Sequence, residues 1–396
     1  MENIEFLNII IEERPVGSES NKRLLNIIQT KALQMGWDVT SLPFECKIWR
    51  KGKSFINIGK KSYEIFPSTF SKPYKGYGEI IVIYSLEELV SIDINEKIVF
   101  LRGSLTKESL QPKNFPFYYP DDHKYIIDLL EENKPKAIIA VTGKHSMCGL
   151  DPFPLFEDGN FSISSAYINE LTANNILQEN GIIHLCIDSK IINENSRQIF
   201  ATRKAKKKTF GKIIICAHMD TKYGTPGAID NATGVAVMLK VMENLQNYNG
   251  IYDIDAIPFN GEEYYEVKGQ LEYLNHIKGE FDSIKLVINI DSPCHKDSQT
   301  AVSSYNLGEE LSTKLNMELI KNTNIILGEE WYAGDHAMFA FKGIPCIAVT
   351  SSNLFETVIQ ITHTQRDTID QISDNLIDQT ADFLTGLINS VGESAL

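Results

Sequence analysis

At 396 residues the chain is long for a single hydrophobic core, and one large domain with a smaller companion is expected. Its 43% hydrophobic and 23% charged content is that of an ordinary globular protein. A formal charge of −14 disfavours nucleic acid and anionic membranes as partners, because both reward a basic surface. Met1 to Phe6 has no positive n-region, and the apolar run Leu7 to Ile11 is short and interrupted, so no signal peptide is expected. No run is long enough to span a membrane. The six cysteines (46, 148, 186, 216, 294 and 346) form no C-x-x-C pair, and Cys186, Cys216 and Cys346 fall in apolar runs. That distribution suits reduced, buried thiols and a cytoplasmic protein.

In chain order, residues 4 to 12 predict a short helix, broken at Arg14-Pro15-Val16-Gly17. Ser18 is placed to cap a second helix, in which Leu24, Leu25, Ile28, Ala32 and Leu33 recur at helical spacing. Gly36 ends it, and Trp37 to Pro43 begins an extended segment. From Lys51 short β-like runs follow one another (54–58, 63–66, 79–84, 97–101, 137–141, 182–187), with helix-like pieces at 123–133 and 168–178. No cluster of His, Asp and Glu in this stretch looks like a site. Arg197 to Thr202 then starts a new strand, read as pairing with Ile213 to Cys216 across the basic run Arg203 to Lys208, a solvated turn.

Strands and helices alternate from there to the end. Strands are expected at 213–217, 254–259, 284–290 and 346–350, and helices at 235–245, 265–276, 308–315, 336–341 and 372–391. Such alternation predicts an α/β fold with a mixed, mostly parallel sheet. Polar candidates recur where strands end, and ligands of open α/β sheets bind beyond the carboxyl ends of strands. They are His218 and Asp220, then Asp230, then Glu262-Glu263, then Asp291, and last His363 after Val358 to Gln360.

Two imidazoles and three carboxylates (His218, Asp230, Glu263, Asp291, His363) suit a pair of divalent metals of the zinc type, one carboxylate bridging. Two metals roughly 3.5–4 Å apart clamp a nucleophilic water and the oxygen that develops charge. Glu262 is the natural general base for that water. Asp220 is placed to hold the His218 tautomer from behind, and Asp367 to do the same for His363.

The ordered pattern H-x-D, D-N-x-x-G, E-E, D and H-T-x-x-D resembles the M28 family of di-zinc peptidases, chiefly aminopeptidases. It is carried by His218/Asp220, Asp230 to Gly234, Glu262-Glu263, Asp291 and His363 to Asp367. Gly334-Asp335-His336, Phe339 and Gly343 to Pro345 are similar to the family's segment before its last strand, and Arg14 to Asn21 to its opening helix. The resemblance implies that Asp230 bridges, with His218 and Asp291 on one metal, Glu263 and His363 on the other, and Glu262 as base. It also implies a three-layer α/β/α peptidase domain made of 1–51 and 191–396, with an inserted, β-rich, protease-associated-like domain at 52–190. Where many members carry a Tyr before the last His, this chain has Thr362, so an oxyanion donor would come from Tyr332, Tyr223 or the metals alone.

The implied activity is a zinc-dependent aminopeptidase holding two Zn2+ per chain, with Co2+ or Mn2+ able to serve, acting on peptides with a free N-terminus. A carboxypeptidase or dipeptidase would need a cation for a free carboxylate, and Arg366 is the evident local candidate. A glutaminyl-cyclase-like activity and a non-catalytic binding protein on the same scaffold complete the alternatives. Asp335-His336 reads equally as a helix cap or structural pair and as part of a substrate pocket, whereas Trp331-Tyr332 reads more readily as packing than as a pocket wall. The sequence leaves a homo-oligomer open.

Overall fold

Helix α1 (Asn3–Ile10) buries Phe6, Leu7 and Ile10, and the chain then turns through Arg14 to Gly17 into α2 (Glu19–Gln34) in this computed structural model. The model describes residues 3–179, 181–206 and 209–393. Ser18 caps α2 by accepting the N–H of Asn21 at 3.2 Å. Leu24, Leu25, Ile28 and Ala32 form its buried stripe, whereas Leu33 points to solvent.

The chain divides into two compact units, Met1–Cys46 with Asn195–Leu396, and Lys47–Glu194. The first is built on an eight-stranded sheet. Its strands are β1 (Asp38–Lys51), β2 (Ser189–Arg203), β3 (Lys212–His218), β4 (Asp253–Phe259), β5 (Ile284–Ile290), β6 (Thr300–Tyr305), β7 (Ile325–Leu327) and β8 (Cys346–Ser351). They lie in the order β1-β2-β4-β3-β5-β8-β6-β7. β3 runs parallel to both β4 and β5, with His218 opposite Phe259 and Ile215 opposite Ile288. β5 and β8 are also parallel, while β2 and β6 run antiparallel to β4 and β8.

The expected pairing of β2 with β3 is therefore corrected, because β4 lies between them. β3 is buried from Ile213 onward on both faces, and such a run belongs in the middle of a parallel sheet rather than beside an edge turn. Two residues of the basic turn, 207 and 208, lie outside the described residues.

Alternation along β3 sends Ile213, Ile215 and Ala217 to one face, into a core shared with α1, α2, α3 (Gly234–Asn244), α5 (Glu309–Lys321) and α7 (Asp374–Gly392). The opposite face carries α4 (Lys268–His276), whose Tyr273 packs edge-on against Phe259, and the short helix α6 (Ala337–Ala340). Helices on both faces of the sheet make a three-layer α/β/α fold. Strands β6 and β7 were missed in the sequence, because Ser303-Ser304 and a three-residue run give a weak β signal.

The second unit contains a four-stranded sheet and a five-stranded sheet. The five-stranded sheet includes the parallel runs Ile80–Ile83, Ile98–Leu101, Ala137–Val141 and Ser165–Ile168, packed with the helix Asp121–Asn133. No described helix is long and apolar enough to cross a membrane.

Candidate metal centre

The buried strand β3 ends at His218, whose Nδ1 lies 3.2 Å from the backbone carbonyl of Asp220. A carbonyl can only accept, so Nδ1 carries a proton, and Nε2 is the nitrogen left free to face an acid or a metal. That nitrogen faces Asp230 Oδ1 at 2.9 Å and Asp291 Oδ1 at 3.6 Å. Asp291 follows directly on β5, and its N–H is held by the carbonyl of Val349.

A second group shares Asp230. His363 Nε2 lies 3.1 Å from Asp230 Oδ2 and 2.8 Å from Glu263 Oε1. His363 occupies a left-handed backbone position, φ +62°, in the loop after the 3-10 turn Val358–Gln360, not at a strand end. In each triad, His218/Asp230/Asp291 and Asp230/Glu263/His363, the candidate ligand atoms lie within 4.8 Å of one another.

Asp230 thus presents one carboxylate oxygen to each imidazole. Burial works against its charge, but hydrogen bonds to His218 and His363 outweigh this and hold the carboxyl well below the usual range. Burial, with Glu263, Asp291 and Asp335 nearby, pushes Glu262 well up despite His218. Burial likewise raises Asp335 to about 7. This surplus of buried carboxylate, with the Nε2 atoms of two imidazoles aimed into it, is the chemistry of a divalent-cation site. The residues fit two metals sharing Asp230.

The loop carrying Asp230 is an irregular turn, Ala228–Thr233, in which Asp230 and Asn231 leave helical angles. Asn231 ties it to β5: its Nδ2 donates to the carbonyl of Ile290 at 2.8 Å, and its Oδ1 accepts the N–H groups of Gly234 and Ser292. Gly234 has no room for a side chain, since a Cβ there would lie 2.2 Å from Asn231 Oδ1.

Two supporting acids work differently from the expectation. The Asp220 carboxylate, fully buried, accepts the N–H groups of Gly261, Glu262 and Glu263 at 3.0, 3.2 and 3.1 Å. It is 3.9 Å from His218 Nδ1, so the Asp220 carbonyl orients the ring and the carboxylate organises the Glu262-Glu263 turn. Asp367 is engaged by the loop that carries Asp230. Its carboxylate accepts the N–H groups of Ile229 at 2.7 Å and Asp230 at 3.1 Å. In both cases a nearby row of unsatisfied amides is the better partner for a buried carboxylate.

Lys222 lies 3.7 Å from Glu263 Oε2 and adds positive charge to the second triad. Arg366, exposed, donates to the carbonyl of Gln360. His336 is structural: its Nε2 lies 2.8 Å from the carbonyl of Trp331 and its Nδ1 3.3 Å from Asn289 Nδ2. Asp335 Oδ1 accepts Gln270 Nε2 at 2.9 Å.

Residues 198–388, just under half of the chain, match the model of peptidase family M28. This segment is similar to peptidase family M28. The matched segment carries both triads and Glu262; Arg14 and the second unit lie outside it. Aminopeptidase YwaD of Bacillus subtilis is 26% identical over 210 residues, half of this chain and 45% of that relative's length. Solved structures share the fold along nearly the whole chain. The aminopeptidase from Aneurinibacillus sp. strain AM-1 superposes with a TM-score of 0.76 at 20% identity, covering 98% of this chain and 93% of its own. BSAP, a zinc aminopeptidase from Bacillus subtilis, gives 0.77 at 19% identity, covering 99% and 95%. The M28 peptidase precursor from Shewanella amazonensis gives 0.70 at 18% identity, covering 99% and 92%.

Proposed function

We propose that the chain is a metal-dependent exopeptidase that removes N-terminal residues from peptides. The observation that carries this reading is Asp230 standing between two imidazoles, 2.9 Å from His218 and 3.1 Å from His363, with one further carboxylate in each triad. His218 and Asp291 would hold one metal, Glu263 and His363 the other, with Asp230 shared; zinc is the expected ion, with cobalt or manganese able to replace it. When bound, such ions polarise a carbonyl and lower the pKa of water.

The side chains supply the rest. Glu262, whose affinity for a proton is raised by burial and neighbouring acids, takes a proton from the attacking water and delivers it to the amine as the C–N bond breaks. Asp220 fixes the turn from which Glu262 acts, through three backbone N–H groups. The similar proteins are named aminopeptidases, which supports a substrate with a free N-terminus.

Arg366 is engaged by a backbone carbonyl, which leaves the carboxypeptidase and dipeptidase readings behind the aminopeptidase one. Residues 52 to 190 are proposed to be an inserted protease-associated-like domain, and the free, mostly buried cysteines support a reducing, cytoplasmic setting.

The deciding experiment is an assay of the zinc-reconstituted protein on matched peptides with free and acetylated N-termini. Cleavage of the free series alone is expected. Equal cleavage of both, or none, defeats the proposal.

A further inference from the structure

Arg14 is completely buried and spends its guanidinium on backbone carbonyls. Nε donates to Met219 at 2.7 Å, Nη1 to Pro226 at 2.8 Å and Glu12 at 3.2 Å, and Nη2 to Gly227 at 2.9 Å. Its own backbone N–H donates to Thr221 Oγ1 at 2.9 Å. Burial lowers its pKa only to about 10, so it stays charged at neutral pH. Three of the carbonyls it holds belong to one loop, the link from His218 to Asp230.

The other side of that loop is held by Asp367, which accepts the N–H groups of Ile229 and Asp230. Carbonyls of 219, 226 and 227 are thus pinned to a cation, and amides of 229 and 230 to an anion. The space between is closed: at Gly227, φ +64°, a Cβ would lie 3.1 Å from Arg14 Nη1, 2.3 Å from Thr221 Cγ2 and 2.7 Å from the Asp230 carbonyl oxygen. A residue whose task was packing alone would be served by an apolar side chain of similar volume. An isolated buried cation is costly, and it is retained here where the carbonyls of Ile10, Glu12, Met219, Pro226 and Gly227 converge on it.

We infer that Arg14 is a positioning residue for the metal centre, acting through the Met219–Asp230 loop on the one carboxylate that both triads share. This rests on the metal-site reading given under Proposed function. Because Asp230 serves both triads, loosening the loop weakens both ions together, whereas a change at His363 touches one triad. The planar fork is required as well as the charge, since a lysine ammonium cannot reach carbonyls spread over three residues in fixed directions.

The test uses the full chain stripped of metal and titrated with zinc chloride, comparing wild type, Arg14→Lys, Arg14→Met and His363→Ala. Both zinc affinities are expected to fall by about 10–100-fold in Arg14→Lys and Arg14→Met, the range seen when partners behind metal ligands are removed, and one affinity alone in His363→Ala. Hydrogen exchange on the metal-free proteins gives a second readout. Amides of residues 227–231 should exchange faster in Arg14→Lys while those of α7 keep wild-type protection. Gly227→Ala, which crowds the same contact, should reproduce both effects if the Arg14 variants do not fold. Wild-type zinc affinities and loop exchange in Arg14→Lys would overturn the inference, and so would exchange that rises equally throughout the molecule. If the wild-type protein binds no zinc, the functional reading fails, while the exchange comparison still decides whether Arg14 holds the loop.

Discussion

The carboxylate of Asp220 accepts the backbone N–H of Glu263 at 3.1 Å and stands 3.9 Å from Nδ1 of His218, two residues away. One strand end thereby controls the turn that supplies both adjacent glutamates. Asp220→Asn replaces an acceptor-only group with one that turns a donor toward three N–H groups. The expected result is a loss of about 10–100-fold in zinc affinity at the Glu263/His363 position, with a smaller change at His218/Asp291. Zinc titrations set beside those of His218→Ala and His363→Ala measure it; a loss centred on the His218 position would contradict this role.

Glu262 is not a member of either triad. Glu262→Gln keeps its shape and removes its basicity, so turnover should fall by at least about 10²–10⁴-fold while two zinc ions still bind. Metal analysis of the purified variant alongside its kcat separates the two effects. Retained turnover would remove Glu262 from the mechanism.

Lys222 places an ammonium 3.7 Å from a carboxylate oxygen of the second triad. That charge repels a dication bound there. Unit charges near 4 Å interact by about 1 kcal/mol even in a water-like medium, so Lys222→Met should tighten the Glu263/His363 zinc site by at least roughly fivefold. Competition with a chromophoric chelator reads this directly, and an unchanged or weaker site would show that Lys222 supports Glu263 more than it opposes the ion.

His336 is buried between a carbonyl acceptor at Trp331 and the amide of Asn289, and burial lowers its pKa below the usual value. A histidine whose folded pKa is depressed contributes stability above its unfolded pKa, near 6.5, and this is lost as pH falls through the folded value. The thermal midpoint should therefore drop as pH falls below about 6.5, and the His336 ring should titrate below 6.5 by NMR. A ring midpoint above 6.5 would be inconsistent with the neutral tautomer.

Much of the first unit was legible because its signals are local. A buried apolar run, Ile213 to Ala217, is a central strand in sequence and in space, and His218, Glu263 and Asp291, which follow such runs, meet where strand ends converge. What was illegible depends on backbone groups. The partners of Asp220 and Asp367 are N–H groups of residues 41 to 43 and 137 to 138 positions away, and amides leave no trace in residue type. Arg14 was visible as a break between helices and as the start of a segment like the family's opening helix, but its task was not, because its acceptors are carbonyls more than two hundred residues along the chain. The pairing of β2 failed for a related reason: nearness in sequence suggested a hairpin, but a later strand takes the place.

The loop between His218 and Asp230 has a consequence for how the chain can be shortened. A terminus is ordinarily the safest place to trim, since few contacts depend on it. Here the fourteenth residue is wired to positions 219, 226 and 227. A version beginning at Pro15 would keep every candidate ligand and the entire segment from 198 to 388 by which the family is recognised. It would nevertheless lack the cation on which that loop is folded.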